Sequence, residues 1–238
     1  MRRVGILGGM GPQATILVMQ KVLDAVQADD DSDHIPLIVD QNPQVPSRIA
    51  HLIDGTGTDP GPVLAAMARR LVAAGAQALA MPCNTAHHYA AAIRAAVEVP
   101  LLDMVALSVA HAAAQVEDGA VVGILASPAV RKVGLFDAAL ARHGLSAIYA
   151  TDENALLAAI RQIKADGPQP QARMMLNSAS KDLADRGASV QLIACTEFSL
   201  IADSVAQGGR AFDTLDVLVA AIKDFAIENG TVTEKPAN

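Results

Sequence analysis

The sequence predicts an α/β fold built from two similar halves, each with a mainly parallel sheet flanked by helices. Short runs rich in Val, Ile and Leu alternate with longer Ala-rich stretches, which is the pattern of buried parallel strands and crossover helices. The run VGILGG at residues 4–9 recurs as VGILAS at residues 122–127. The 238 residues, 52% of them hydrophobic, are also enough to bury a large core.

Each predicted strand is a short apolar run bounded by turn residues. Strands are predicted at residues 3–7, 35–40, 78–81, 121–125, 146–149 and 190–193. The Ala-rich stretches predict helices at residues 13–28, 62–74, 86–96, 103–116, 130–143, 153–164 and 170–186. The tail at 211–229 predicts a short extended piece and one more helix, LDVLVAAIKDFA, packed on the first half, followed by a frayed end at 231–238.

The repeated run divides the chain into two α/β domains. We expect the first to comprise residues 1–103 with 208–238, and the second residues 104–207. Nearly the same offset relates ALAMPCNT at 78–85 to QLIACTE at 191–197. The two cysteines of the chain, Cys83 and Cys195, therefore occupy corresponding places in the two halves.

Charge and apolar patterning exclude several classes of partner. With 18 basic and 25 acidic residues the formal net charge is -7, and no basic stripe with interleaved aromatic residues is present, so we expect no nucleic-acid partner. No segment approaches the roughly 20 apolar residues that span a bilayer. Two cysteines are too few for a disulfide scaffold, and no cysteine/histidine spacing resembles a zinc site. We expect a cytoplasmic protein with no membrane partner and no metal.

Both cysteines directly follow a predicted strand and precede small polar residues where a helix begins. Ligands bind beyond the carboxyl ends of parallel strands, where a helix N-terminus offers free N–H groups and partial positive charge. This setting predicts a thiol pKa below the free value of about 8.5, toward neutrality. Two thiols across a cleft could remove a proton from one face of a carbon and return one to the other, which is stereoinversion. Buried apolar packing and a redox pair are the other interpretations of these residues.

Three motifs together resemble the aspartate/glutamate racemase family on its aspartate-racemase branch: GILGGMGPQAT at 5–15, MPCNTAHHY at 81–89 and ACTEFSLI at 194–201. The resemblance spans nearly the whole chain. Bacterial cell-wall glutamate racemases differ, with a DSG-type opening and CTH where this chain has CTE. The resemblance implies two α/β domains related by a pseudo-two-fold axis, a site between them, no pyridoxal phosphate or other cofactor, and a homodimer.

By motif position, the resemblance implies that Cys83 and Cys195 are the two acid/base thiols of a racemase. Arg48 in NPQVPSR corresponds to the family's arginine for the distal carboxylate of the substrate, and Lys164 in IKADG to a lysine that assists it. A planar guanidinium suits a bidentate carboxylate contact, so this pair would select dicarboxylic amino acids such as aspartate or glutamate. The other residues implied to line the substrate site are Met10, Asn84, Thr85, Ser127, Thr196 and Glu197.

A racemase without a pyridoxal electron sink must stabilise the charge that develops on the α-carboxylate directly. Backbone amides beside the cysteines, with Asn84, Thr85 and Thr196, are the predicted donors. Glu197 is a candidate to hold the substrate ammonium, and His87 to tune Cys83.

The chain also departs from the aspartate-racemase pattern. Ser127 and Val130 stand where the family tends to have T-x-x-T, and Phe198 follows CTE. These departures predict an altered substrate pocket.

Three alternatives stay open on the sequence. GMGPQA at residues 9–14 matches the G-x-G-x-x-A form of the dinucleotide fingerprint, but Pro12 inside it and the cysteine pair favour a substrate-binding turn. A related two-cysteine enzyme, such as a maleate isomerase or a decarboxylase, would use a thiolate on a different carbon. A binding module on the same fold would bind an amino acid without turning it over.

Overall fold

The computed structural model describes residues 1–206 and 209–227, and the predicted frayed end at 231–238 lies outside them. The first half contains β1 (Val4–Gly8), α1 (Pro12–Asp24), β2 (Leu37–Gln41), α2 (Gly61–Ala73), β3 (Ala78–Ala80), α3 (Ala90–Arg94), β4 (Leu101–Leu102) and α4 (Met104–Ala113). The second contains β5 (Val121–Leu125), α5 (Pro128–Lys132), α6 (Asp137–Ala141), β6 (Ser146–Tyr149), α7 (Glu153–Asp166), α8 (Pro170–Asp185), β7 (Val190–Ile193), α9 (Thr196–Ser199), β8 (Ala211–Asp213) and α10 (Thr214–Ile227).

The strands form two four-stranded sheets in the same order, β2-β1-β3-β4 and β6-β5-β7-β8. Neighbouring strands are parallel, with Val4 opposite Leu37 in the first sheet and Val122 opposite Val190 in the second. The shared order matches the duplication predicted from the repeated run. The predicted α/β class with two parallel sheets is confirmed.

Helices cover both faces of each sheet, so the strands are apolar almost throughout. Successive residues of β1 serve opposite faces: Ile6 packs in the cluster with Leu218 of α10, and Leu7 packs in the cluster with Leu64 of α2. Both β1 residues are fully buried. The final helix therefore packs on the first sheet, as the sequence predicted.

Local sequence signals fix where several helices begin. Pro lies in the first turn of α1, α5 and α8, where its missing N–H costs no helical hydrogen bond. The Asp103 carboxylate accepts the first free N–H groups of α4, from Val105 and Ala106 at 3.0 Å each. Ser127 likewise caps α5 by accepting from the Ala129 N–H.

Some predicted bounds were wrong for identifiable reasons. The single helix predicted at 130–143 is two short helices, α5 and α6, because the chain breaks at Gly134, which adopts a left-handed conformation with φ of 60°. The helix predicted at 86–96 begins as a 3₁₀ turn, Thr85–Tyr89, before α3. Strand β4 has two residues and was not predicted, since so short a segment carries no periodicity.

The division into domains at residues 103/104 and 207/208 stays a prediction. Strand β8 pairs with β7 in the second sheet, and α10 directly after it returns to the first. At the other junction, Met104 packs in a first-half cluster while Val105 packs in a second-half cluster.

Candidate active site

The inner strands of both sheets end at one chamber of about 110 Å³. Strands β1, β3, β5 and β7 end two or three residues before Met10, Cys83, Ser127 and Cys195, and these four residues all line that chamber. The predicted convergence of the two cysteines is therefore seen in the structure. Each cysteine is 8% exposed, so both thiols are largely withdrawn from water.

A larger cavity of about 460 Å³ adjoins the chamber. Four residues line both spaces: Ser47, Arg48, Lys164 and Glu197. The other residues lining the outer cavity are Gly9, Gly11, Pro12, Gln13, Ala14, Pro43, Val45, Thr196 and Leu200. A small molecule can thus occupy the chamber with one end extending into the outer cavity.

The glycine-rich turn after β1 shapes the wall shared by the two spaces. Gly9 has a left-handed φ of 92°, and a Cβ there would lie 2.3 Å from the Asn42 carbonyl carbon, so only glycine fits. Its N–H donates to Thr15 Oγ1 at 2.8 Å, which ties the turn to α1. A Cβ on Gly11 would lie 3.7 Å from Glu197 Oε1, which places this turn directly against the second cysteine motif.

Cys195 lies beside a buried carboxylate. Its thiol donates to Glu197 Oε2, with Sγ 3.1 Å from the oxygen. Burial raises the pKa of Cys195 well above its usual range, and the Glu197 carboxylate raises it further, while Lys164 opposes the shift. The predicted lowering of the thiol pKa is therefore wrong at Cys195, because the thiol is buried and a carboxylate lies beside it. The resting form of Cys195 is the thiol.

Lys164 and Glu197 form an ion pair at the boundary of the two spaces. Lys164 Nζ lies 2.7 Å from Glu197 Oε1, with the lysine side chain 38% and the glutamate side chain 10% exposed. Burial alone would lower the pKa of Lys164, but the Glu197 carboxylate outweighs it and the pKa lies above its usual value. A negative charge on either cysteine sulfur would raise the pKa of Lys164 further, because Lys164 lies close to both Cys195 and Cys83.

Cys83 sits in a turn that a buried histidine holds. The Cys83 carbonyl accepts from His87 Nδ1 at 2.9 Å, and His87 Nε2 accepts from the Met104 N–H at 3.1 Å. This pattern requires a neutral imidazole protonated on Nδ1, and burial lowers the pKa of His87 accordingly. His87 therefore contacts the main chain of Cys83 and braces the turn against α4.

Arg48 offers a cationic side chain to both spaces. Its Nη1 donates to the carbonyls of Val45 at 3.4 Å and Pro46 at 3.0 Å. Within residues 1–206 and 209–227 it forms no ion pair with a carboxylate. Its charge is thus available to an anionic ligand, in contrast to that of Lys164.

The remaining predicted site residues fall into two groups. Met10, Thr85 and Ser127 line the chamber, and Thr196 lines the outer cavity. Asn84 is not among the described residues that line either space, and its Nδ2 donates to Thr214 Oγ1 at 2.9 Å.

Val130 and Phe198, two of the departures from the family pattern, lie in the core of the structure. Both side chains are fully buried in core clusters, and neither lines either space in the described part of the chain.

Sequence reasoning missed several lining residues. Ser47 precedes Arg48, and Ile160 lies one helical turn before Lys164 on α7, so helical spacing could have identified Ile160. Pro43 and Leu200 reach the outer cavity from loops, where the sequence gives no comparable signal.

Two further properties concern the described residues as a whole. They contain no group of three His, Cys, Asp or Glu side chains placed to hold a metal ion. Across 1–206 and 209–227, none of the helices has the length and apolar character needed to cross a membrane.

Comparison with protein families and curated sequences gives two findings. Residues 7–222 match the family described as Asp/Glu/Hydantoin racemase. The broad specificity amino-acid racemase RacX of Bacillus subtilis (strain 168) is 25% identical over 210 residues, which cover 85% of this chain and 88% of that protein.

Solved structures show the same fold. The Picrophilus torridus aspartate racemase has a TM-score of 0.84 at 23% identity, over 95% of this chain and 94% of that one. The glutamate racemase of Francisella tularensis subsp. tularensis SCHU S4, in complex with D-glutamate, has a TM-score of 0.63 at 15% identity, over 94% of this chain and 80% of that one.

Proposed function

The chain belongs to the Asp/Glu/hydantoin racemase family, and on that premise we propose that it interconverts L- and D-aspartate, with glutamate as the nearest alternative substrate, using Cys83 and Cys195 as its acid/base pair. The observation that carries the proposal is the placement of both thiols in one chamber of about 110 Å³. Inversion at a carbon needs two proton-transferring groups, one for each face.

The hydrogen-bonding state of Cys195 supports a division of roles at rest. With its thiol donating to Glu197, Cys195 begins as the acid, which leaves Cys83 as the base in the proposed scheme. Cys83 takes the α-proton, the electron pair moves onto the α-carboxylate as an enediolate, and Cys195 delivers its proton to the opposite face. Cys83 is then the thiol and Cys195 the thiolate, which is the form that accepts the opposite enantiomer.

Charge on the substrate would be stabilised by groups already around the chamber. The hydroxyls of Thr85 and Ser127 can donate to the α-carboxylate as it gains charge, and a single preorganised donor of this kind contributes about 10²–10³ in rate. Arg48 would bind the side-chain carboxylate. Glu197, already paired with Lys164, would keep Cys195 protonated and accept from the substrate ammonium.

A racemase with broader substrate recognition is the second candidate. The outer cavity gives room for side chains longer than that of aspartate, and the Bacillus subtilis relative is described as broad in specificity. A homodimer and a cytoplasmic location, which the resemblance and the composition predict, are part of the proposal as well.

An amino-acid panel in deuterated water tests the proposal. We would incubate the reduced protein with L-aspartate, L-glutamate, L-alanine and L-lysine, then follow loss of the α-proton by NMR and enantiomers by chiral chromatography. Exchange with D-isomer formation from the acidic substrates alone is the expected result. Activity on alanine and lysine would favour the broader racemase, whereas exchange with none of the four would contradict the proposal.

A further inference from the structure

The junction between β8 and α10 lies beside both cysteine turns. Asp213 ends β8, where it pairs with Ile193 of β7, and Thr214 begins α10. Asp213 is 4% exposed and Thr214 is fully buried. Neither residue is among the described residues that line the chamber or the outer cavity.

Thr214 connects the two cysteine turns through one hydroxyl group. Its Oγ1 donates to the carbonyl of Ile193 at 2.9 Å, two residues before Cys195. The same oxygen accepts from Asn84 Nδ2 at 2.9 Å, one residue after Cys83. A single side chain therefore fixes the strand end that carries one thiol to the turn that carries the other.

Asp213 holds the far end of the Cys195 turn. Its Oδ1 accepts from Ser199 Oγ at 2.9 Å and from the Leu215 N–H at 2.9 Å. Ser199 is the last residue of α9, which begins immediately after Cys195. The Cys195 turn is thus held before and after the cysteine by adjacent residues of one junction.

We propose that Asp213 and Thr214 are positioning residues that set the spacing of the two thiols. The inference rests on the proposed racemase function, since two thiols that act on opposite faces of one carbon must be held at a fixed separation. A displacement of about 1 Å at such a site can lower the rate about 10²-fold. Neither residue touches the reacting atoms, and both act through the Cys83 and Cys195 turns.

Three variants separate positioning from general stability. Thr214→Val keeps the side-chain shape and removes the hydroxyl, while Thr214→Ser keeps the hydroxyl. Ser180→Ala is the matched control, because the Ser180 hydroxyl is also fully buried, donates to Gln191 Oε1 and accepts from the Ala206 N–H. Ser180 is not a described lining residue of either space.

We expect Thr214→Val to lower kcat by about tenfold or more with KM within about threefold, in line with the cost of misplaced groups. Thr214→Ser should retain most of the wild-type kcat. Ser180→Ala should have a lower melting temperature and an unchanged kcat. A kcat for Thr214→Val near the wild-type value, or an equal loss in Ser180→Ala, would overturn the proposal. If Thr214→Val does not fold, Ser199→Ala takes its place, because it removes the hydrogen bond from Ser199 to Asp213 at the other end of the Cys195 turn. The same fall in kcat with little change in KM is then expected of Ser199→Ala.

A second readout does not depend on racemisation. Iodoacetamide alkylates thiols, and peptide mass spectrometry gives the alkylation rate of Cys83 and Cys195 separately. Each rate reports the accessibility and reactivity of that thiol. We expect Thr214→Val to change the rate at both cysteines and Ser180→Ala to change neither. If the wild type racemises no amino acid, the proposed function fails, and unchanged alkylation in Thr214→Val would overturn the positioning role separately.

Discussion

Replacing Asp213 by Asn should abolish a loss of stability that the wild-type protein undergoes as the pH rises from about 4 to about 6. Burial raises the pKa of Asp213 to about 6, while hydrogen bonds from the Leu215 N–H and Ser199 work against that shift. Its Oδ2 is buried with no hydrogen-bond partner among the described residues. Asn keeps an oxygen for the two donors to Oδ1 and carries no charge, so the substitution removes the cost of ionising a buried carboxyl.

The size of the effect follows from the two pKa values. In the unfolded chain the pKa of an aspartate is about 3.9, so between about pH 4 and pH 6 the folded state binds more protons than the unfolded state. Stability therefore falls as pH rises through this window and stays lower above it. The difference between about 6 and about 3.9 corresponds to about 3 kcal/mol at pH 7 and above.

Urea unfolding of wild type and Asp213→Asn at pH values from 4 to 8 measures this difference. The stability of the variant relative to wild type should rise by up to about 3 kcal/mol between pH 4 and pH 8, because other titrating groups and any pH-independent effect of the amide cancel in that comparison. Asp166→Asn, at an exposed aspartate on α7, is the control and should show no such trend. A stability difference that is the same at pH 4 and pH 8 would refute the reasoning.

Three further substitutions probe the site and the core. Glu197→Gln removes the carboxylate that accepts from Cys195, so the pKa of that thiol should fall, measured as thiolate absorbance against pH. Racemisation should drop by about 10²-fold or more, because the acid of the reaction is perturbed. Arg48→Met should lower kcat/KM for aspartate by about 10²-fold and that for alanine much less, since a bidentate charged contact is lost only for the acidic substrate. Phe136→Ala should destabilise the fold by about 3–5 kcal/mol in urea, because Phe136 is fully buried; a loss below about 1 kcal/mol would contradict its place in the core.

Much of the fold was predictable because its strands are buried on both faces. The second-half strands at 121–125, 146–149 and 190–193 match the structure at both ends, since apolar runs there meet turn residues abruptly. Strand β8 was predicted only as an extended piece, and its place in the second sheet depends on pairing with β7. Pairing between distant segments leaves no local signal in the sequence.

The sequence predicted which residues meet at the site better than it predicted their protonation and hydrogen bonding. Duplicated motifs brought Cys83 and Cys195 to one chamber as expected. The pKa of Cys195 lies above its usual range, opposite to the prediction, because the thiol is buried and lies beside the Glu197 carboxylate. The sequence specifies neither the depth of burial nor the orientation of that carboxylate. The hydrogen bond from Asn84 to Thr214 joins residues 130 positions apart, and nothing in the local sequence of either residue predicts it.

The central claim is that both cysteines are required for inversion, and matched serine variants test it most directly. Wild type, Cys83→Ser and Cys195→Ser would each be incubated with L-aspartate and, separately, with D-aspartate in deuterated water, then analysed by chiral chromatography and mass spectrometry. Wild type should form the opposite enantiomer with one deuterium at the α-carbon, and each variant should lose racemisation in both directions. A variant that racemises aspartate at a rate near that of wild type would remove its cysteine from the acid/base pair and contradict the mechanism.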